Sequence, residues 1–419
     1  MTMQNPSPTT AGNGRMMALA AAFLGWMFDG MEMGIFPLVA RPGLQQMQAL
    51  HGIVDESFVQ RWMGIITALF LVGAALGGLV FGWLGDRVGR VKAMTWSILF
   101  YSGFTGLCYF ATEPWHLGAL RFVAALGMGG EWALGVALVM ECWPEGKRPL
   151  MAGLIGASAN LGYCIIAIIG IAFPITGDSW RWVMIVGAAP ALLTFLIRLF
   201  VPESEKWKAS RRTDAASPVV EIFSPALLKN TLLAISFASV ALVVTWGIVQ
   251  WIPLWADQMT GSNQPTVKAW SQFYQSLGAA VGCLLAALMG GALGRRITYF
   301  LLCLASLMAT QVLFRAIHEV GPGFFVAVFL VGTCTASFYG WLPLYLPEIF
   351  PTRVRATGQG LAFNFGRILA AIGAWQMPAL MAFFDKSYPK AGETIVLVYL
   401  VGMVLIWFAP ETKDKPLPA

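Results

Sequence analysis

Charge is scarce in this chain: Asp, Glu, Lys and Arg make up 11% of it, against about 25% in soluble domains. Hydrophobic residues make up 58% and mean hydropathy is +0.69, which excludes a soluble domain and indicates an integral membrane protein. Histidine is nearly absent, with His51, His116 and His318 alone, and there is no Cys-x-x-Cys, so no metal-ligand set is present. The six cysteines (Cys108, Cys142, Cys164, Cys283, Cys303 and Cys334) fall in or at the ends of apolar stretches and read as small core residues. No Gly-x-x-x-x-Gly-Lys-[Ser/Thr] loop and no catalytic triad appears, which argues against an enzyme. The opening "MTMQNPSPTTAGNG" has neither a positive n-region nor a short apolar core, so it reads as a polar tail, not a signal peptide. The net charge of +6 comes without a basic run interleaved with aromatics, so the expected large-scale partner is the lipid bilayer and not nucleic acid.

Long apolar runs are what the chain has instead. Stretches sufficient to cross about 30 Å of hydrocarbon fall near 16–40, 61–85, 91–111, 116–143, 149–174 and 181–201. A second set falls near 229–256, 267–293, 297–317, 321–346, 356–384 and 393–410. The period-2 alternation of a membrane barrel is missing, so the expected fold is all-α, with twelve transmembrane helices in two six-helix halves: 1–201, a cytoplasmic linker at 202–228, and 229–419. With both termini inside, 17 of the 27 Lys and Arg residues fall in cytoplasmic segments and 7 outside: Arg41, Arg61, Arg181, Lys268, Arg315, Lys386 and Lys390. That is a positive-inside pattern. Arg121, Arg198 and Arg367 lie within spans.

The halves echo each other. "GWLGDR" at Gly82 returns as "GALGRR" at Gly291, "ECWPEGKR" at Glu141 as "EIFPTRVR" at Glu348, and "PES" at Pro202 as "PET" at Pro410, at offsets of 209, 207 and 208. A six-helix unit duplicated in parallel suits a carrier that rocks two halves about a central site.

"GWLGDRVGR", residues 82–90, resembles the loop between helices two and three of the major facilitator superfamily. "RFVAALGMGGEWALG" with "ECWPEGKR", and "PEIFPTRVRATGQGLAFNFGRI", resemble the sialate and monocarboxylate proton symporters within it. "FDGMEM" is similar to the Asp-Gly-x-Asp signature of those carriers and of aromatic-acid symporters, with Glu32 as the second acid. The resemblance implies a secondary transporter importing a small organic anion with protons by alternating access, in a cell or inner membrane, with no cofactor beyond the proton and acting as a monomer. "PETKDKPLP" resembles sugar porters and organic-ion carriers, so sugars, neutral solutes and drug or organic-ion export stay open. A non-transporting receptor is the rival of another class. In this register the second copy of the loop has Arg295 in place of Asp86 and Thr298 in place of Gly89.

Depth follows from a rise of about 1.5 Å per residue, which puts Asp29 about 20 Å into the first span, Glu131 about 20 Å into the fourth and Arg367 about 15 Å into the eleventh. These three converge near the midplane. Asp29 and Glu32, three residues apart, share a face, and Gly30 and Gly34 beside them allow close helix approach or local unwinding. Arg121 and Glu131 are too far apart along one axis to pair, so Arg121 is expected to meet Glu32. Three acids against two arginines leave an excess negative charge, most cheaply removed by protonating an acid. Asp29, Glu32, Glu131 and Arg121 are therefore the candidate proton-coupling set; buried pairs that merely hold helices together are the alternative use.

Arg367 can grip a carboxylate with two parallel hydrogen bonds. In the organic-ion carriers this chain resembles, the position matching "FGRI" is Arg in anion carriers and Asp in cation carriers. Arg367, Asn364, Gln250, Trp246, Tyr339 and Asn160 are the candidate substrate contacts, with Tyr163, Trp251 and Trp341 as further candidates. At the cytoplasmic end Asp86, Arg87 and Arg90, with the pairs Glu141/Arg148 and Glu348/Arg355, suit a gate. There Asp86 would face the N-terminus of helix eleven, where a helix dipole favours an anion.

Overall fold

The computed structural model describes residues 8–49, 52, 56–173, 175–192, 200–201, 203–210, 218–260, 266–376, 383–385 and 387–418. Arg198, Arg211, Arg212 and Lys386 of the charge count, and residues 377–382 of the eleventh run, lie outside them. Among the described residues every regular element is helical.

The first half holds spans one to five as Pro8–Ala49, Glu56–Val88, Arg90–Leu107, Pro114–Cys142 and Arg148–Ala172. Span six begins as Trp180–Val186 and tightens into a 3-10 turn at Ala189–Leu192. The second half holds span seven as Leu228–Gly247 and Ile252–Met259, span eight as Val267–Leu293, span nine as Arg295–Ala316, span ten as Pro322–Thr335 and Phe338–Ile349, span eleven as Arg355–Trp375, and span twelve as Tyr388–Ile395 and Val398–Leu405. Nine of these segments, among the described residues, are long and apolar enough to cross a membrane by themselves. Spans three, six and eleven fall short, span eleven because it carries Arg355, Gln359, Asn364 and Arg367. Exposed Leu76, Trp96, Leu288, Met308, Leu330 and Val404 present the apolar surface that faces lipid.

Two breaks shape the interior. Pro253 has no N–H to give the carbonyl of Val249, and span seven leaves the α-helix at Ile248 through a 3-10 turn at Val249–Trp251. Span ten breaks between Thr335 and Phe338. Span one, by contrast, stays continuous through Gly30 and Gly34 and packs along span five. A Cβ at Gly30 would lie 1.9 Å from the Ala159 carbonyl oxygen, and one at Gly162 would lie 1.9 Å from that of Met27. The glycines thus serve close approach, not unwinding. Spans two and eleven, and spans five and eight, pack together and join the halves.

Candidate functional site

Between the halves lies a cavity of about 60 Å³, lined by Trp26 and Met33 of span one, Asn160 and Tyr163 of span five, Gln272, Gln275 and Ser276 of span eight, and both helix breaks. The breaks contribute Trp246, Val249 and Gln250 on one side and Thr335, Ala336 and Tyr339 on the other. Arg367 is the one charged residue in this lining among the described residues. Its guanidinium stands over the Phe363 ring, 5.3 Å from the centroid, and donates through Nη1 to Asn364 Oδ1, while Nε meets no hydrogen-bond acceptor in the structure. Gln250 Nε2 donates to Tyr163 Oη at 3.0 Å, bridging the two halves across the cavity.

Behind Arg367 sit the acids. Asp29 and Glu131 are buried neighbours, close enough to interact with each other, and Asp29 also interacts with Arg367. Glu131 presses its carboxyl onto Gly25, one turn before Asp29 on span one. None of the four carboxyl oxygens of Asp29 and Glu131 meets a hydrogen-bond donor in the structure. Glu32 is held differently: its Oε1 accepts from Arg121 Nη1 at 2.7 Å and from Thr105 Oγ1 at 3.2 Å. Arg121 is further packed between the rings of Phe36 and Phe70. The expected Glu32–Arg121 pairing is therefore present, and the midplane charges divide into a closed pair and an open cluster of Asp29, Glu131 and Arg367.

The end of the bundle that carries Asp86 and Glu348, called the lower end below, is sealed by a buried network. Asp86 Oδ2 accepts from Thr357 N at 2.8 Å and from Thr357 Oγ1 at 2.5 Å, at the N-terminus of span eleven, as the helix-dipole reasoning expects. Arg90 reaches Asp86, Glu141 at 3.2 Å and the Thr352 carbonyl at 3.0 Å. Arg355 Nη1 reaches Glu141 Oε1 at 3.1 Å from the other half.

Residues 18–374 match the Major Facilitator Superfamily. The chain belongs to it. This transporter is 30% identical over 383 residues to the inner membrane metabolite transport protein YgcS of Escherichia coli, covering 85% of this chain and 84% of that one. It is 26% identical to the sialic acid transporter NanX of Escherichia coli over 93% of this chain and 92% of that one, and 27% identical to the cis,cis-muconate transport protein of Acinetobacter baylyi over 96% and 95%. Its fold matches the proton:xylose symporter XylE with a TM-score of 0.76 at 17% identity, covering 97% of this chain and 98% of that one. The family consists of membrane transporters, not enzymes.

Several expectations about the transporter change with the geometry. Asn364 does not line the cavity. It is buried, donates to the carbonyls of Gly129 and Gly360 at 2.9 Å each, and fixes Arg367 from behind. Trp341 lies among Phe237, Tyr299 and Tyr345 in the second half, and Trp251 lines a neighbouring cavity. At the lower end the acids take other partners: Glu141 pairs with Arg90 and Arg355, Glu348 with Arg295 at 2.6 Å, and Arg148 with Glu145 at 3.5 Å. Arg87 is exposed and stands over Trp83, one turn back on the same helix, instead of joining the Asp86 and Arg90 network. The repeat register also shifts. Gly89 and Gly294, both at positive φ, each precede the helix that follows, so Arg295 is the counterpart of Arg90 and not of Asp86. Each of these arginines donates to the carbonyl five residues back, Gly85 or Gly290. Sequence reasoning missed Trp26, Gln272, Gln275 and Phe363, whose only signal was polar or aromatic character on an otherwise apolar span.

Proposed function

We propose that the transporter carries a small organic anion inward by proton symport, with Arg367 holding the anion's carboxylate. The observation that supports this most is the isolation of Arg367 as the charged residue of the cavity lining, its Nε unengaged in a desolvated site. A guanidinium there favours a carboxylate over a neutral sugar, which offers no counter-charge. The names of the sialic acid and muconate relatives are those of organic acid carriers, which agrees with this reading.

Coupling follows from charge. The Glu32–Arg121 pair is internally neutral, whereas Asp29, Glu131 and Arg367 sum to one negative charge, so one shared proton makes the empty cluster neutral. When an anion takes Arg367, Asp29 loses its counter-charge, and a second proton restores neutrality. The anion and the proton thereby bind with positive coupling, one proton per negative charge of the substrate. The two bundles, 1–201 and 229–419, rock about the cavity with 202–228 as linker, and the Asp86, Glu141 and Arg355 network is the inner gate. Both termini face the cytoplasm across the inner membrane, and one chain suffices.

The test is uptake of radiolabelled lactate, sialic acid, cis,cis-muconate and glucose into proteoliposomes, with and without an inward proton gradient. We expect gradient-driven accumulation of one acid, lost in Arg367→Gln and uncoupled from the gradient in Asp29→Asn. Uptake of glucose that ignores the gradient and both substitutions overturns the reading.

A further inference from the structure

Span three turns a stripe of hydroxyls toward spans one and four. Ser97, Tyr101 and Thr105, each four residues after the last, share one helix face and are fully buried. Ser97 Oγ donates to the Gly127 carbonyl of span four, and Thr105 Oγ1 donates to Glu32 Oε1 of span one at 3.2 Å. Tyr101 lies between them, and its Oη meets no hydrogen-bond partner in the structure. Buried hydroxyls are normally paired, so this one calls for a use.

The packing brings Tyr101 to the acids. Gly127 lets span four close on span three, since a Cβ there would lie 2.7 Å from the Tyr101 nitrogen. Glu131 follows Gly127 by one turn, and Glu131, Asp29 and Glu32 all act electrostatically on the Tyr101 phenol. Both carboxyl oxygens of Asp29, both of Glu131, and Glu32 Oε2 meet no donor in the structure. A phenol without an acceptor and carboxyls without a donor thus occupy one buried region. Other charged groups on the helices packed against span three are engaged elsewhere. Arg121 is closed on Glu32, Asp86 and Glu141 belong to the lower network with Arg90, and Arg181 donates to Gln46 and to the Ala111 carbonyl. Span two has no titratable residue between Arg61 and Asp86.

We infer that Tyr101 is a positioning residue for proton coupling, its Oη–H closing on whichever of Asp29 and Glu131 has given up the shared proton. The carboxyl O–H bond breaks, its proton leaves to solvent on the open side, and the phenol keeps its own proton while donating to the carboxylate. A hydrogen bond to the charged form favours that form, so Tyr101 eases release. Thr105 already serves Glu32 in this way one turn along, and span three thereby offers a donor to the closed pair and to the open cluster. This role rests on the reading that these acids share a transported proton.

The test is infrared difference spectroscopy of the full chain in lipid nanodiscs without substrate, following the protonated-carboxyl C=O stretch as pH rises. Asp29→Asn and Glu131→Gln identify the band. Tyr101→Phe removes only the unpartnered oxygen and is expected to move the midpoint of the band's loss up by about one pH unit, the tenfold effect of one lost bond to a charge. Tyr101→3-fluorotyrosine, a stronger donor of nearly the same shape, is expected to move it down. Ser97→Ala, one turn away and bonded to a backbone carbonyl, is expected to leave it in place, which separates packing from proton chemistry. A midpoint that neither Tyr101 variant moves, or that Ser97→Ala moves equally, overturns the role of Tyr101 and leaves the shared proton standing. A wild type without the band overturns both, and gradient-driven uptake then fails as well.

Discussion

Replacing Asp86 by Asn should open the lower end. Asp86 accepts three bonds, one from Arg90 and two from Thr357, and the Thr357 pair crosses from span two to span eleven. An asparagine offers one acceptor oxygen and an NH₂. If the oxygen serves Thr357, the amide faces the Arg90 guanidinium, donor against donor; if it turns to Arg90, Thr357 N–H at the helix terminus loses its partner. Either way, the Thr357 bonds to a full charge, each of about 1.5–3 kcal/mol, fall to neutral ones of about 0.5–1.5 kcal/mol or are lost, and Arg90 loses its counter-charge. A net loss of about 2 kcal/mol moves the closed-to-open ratio by about 30-fold. Spin labels on exposed Lys147 and Ala292, one in each half at this end, would report the change as a second, longer distance in pulsed dipolar spectra. Arg87→Gln is the internal control, since Arg87 is exposed and stacked on Trp83 outside the network. Equal distance distributions for wild type and Asp86→Asn, or the same shift in Arg87→Gln, would refute the reasoning.

Two further outcomes follow from local geometry. Although burial opposes it, the backbone N–H groups of Arg295, Arg296, Lys413 and Thr412 hold the Glu411 carboxyl below its ordinary range, so the tail's docking is complete above the usual carboxylate value of about 4.3 and is lost as pH falls through the lower folded value. Hydrogen exchange at Arg295 and Arg296 should stay protected from pH 5 to 7 and rise in more acid solution, and Glu411→Gln should raise it already at pH 7; flat protection in both would contradict this. Gly30→Ala puts a Cβ 1.9 Å from the Ala159 oxygen and must push spans one and five apart, costing about 1–3 kcal/mol, so an unchanged melting temperature would show that the contact is looser than described.

Apolar run length made the spans legible in the sequence, and the rise per residue placed Asp29, Glu131 and Arg367 at one depth. Which helices face one another was not legible, and that is where the expectations changed. Glu141 was set against Arg148 within the motif "ECWPEGKR", yet the ends of spans four and eleven lie side by side and give it Arg355. Tryptophan carried little information: Trp246 lines the cavity, Trp341 lies in the core of the second half and Trp96 is exposed. Asn364 and Arg367, three residues apart on one helix, divided their roles because Gly78 leaves room for the asparagine and the Gly129 carbonyl accepts from it.

The shifted repeat explains why the two halves close differently. With Arg90 matched to Arg295, the counterpart of Asp86 is Gly291, and the helix it meets is span five, beginning Arg148–Pro149–Leu150 where span eleven begins Arg355–Ala356–Thr357. Pro149 has no N–H to donate, and Leu150 has no hydroxyl where Thr357 supplies one. A carboxylate at position 291 would lose water and gain neither of the bonds that hold Asp86, a buried charge without partners. Glycine instead lets the chains touch, since a Cβ there would already lie 2.9 Å from the Pro149 ring. One seam of the lower end is thus charged and directional, the other apolar and short-range. In the proposed rocking of the halves, the seam built on Asp86 is the one whose bonds an incoming charge or proton can exchange.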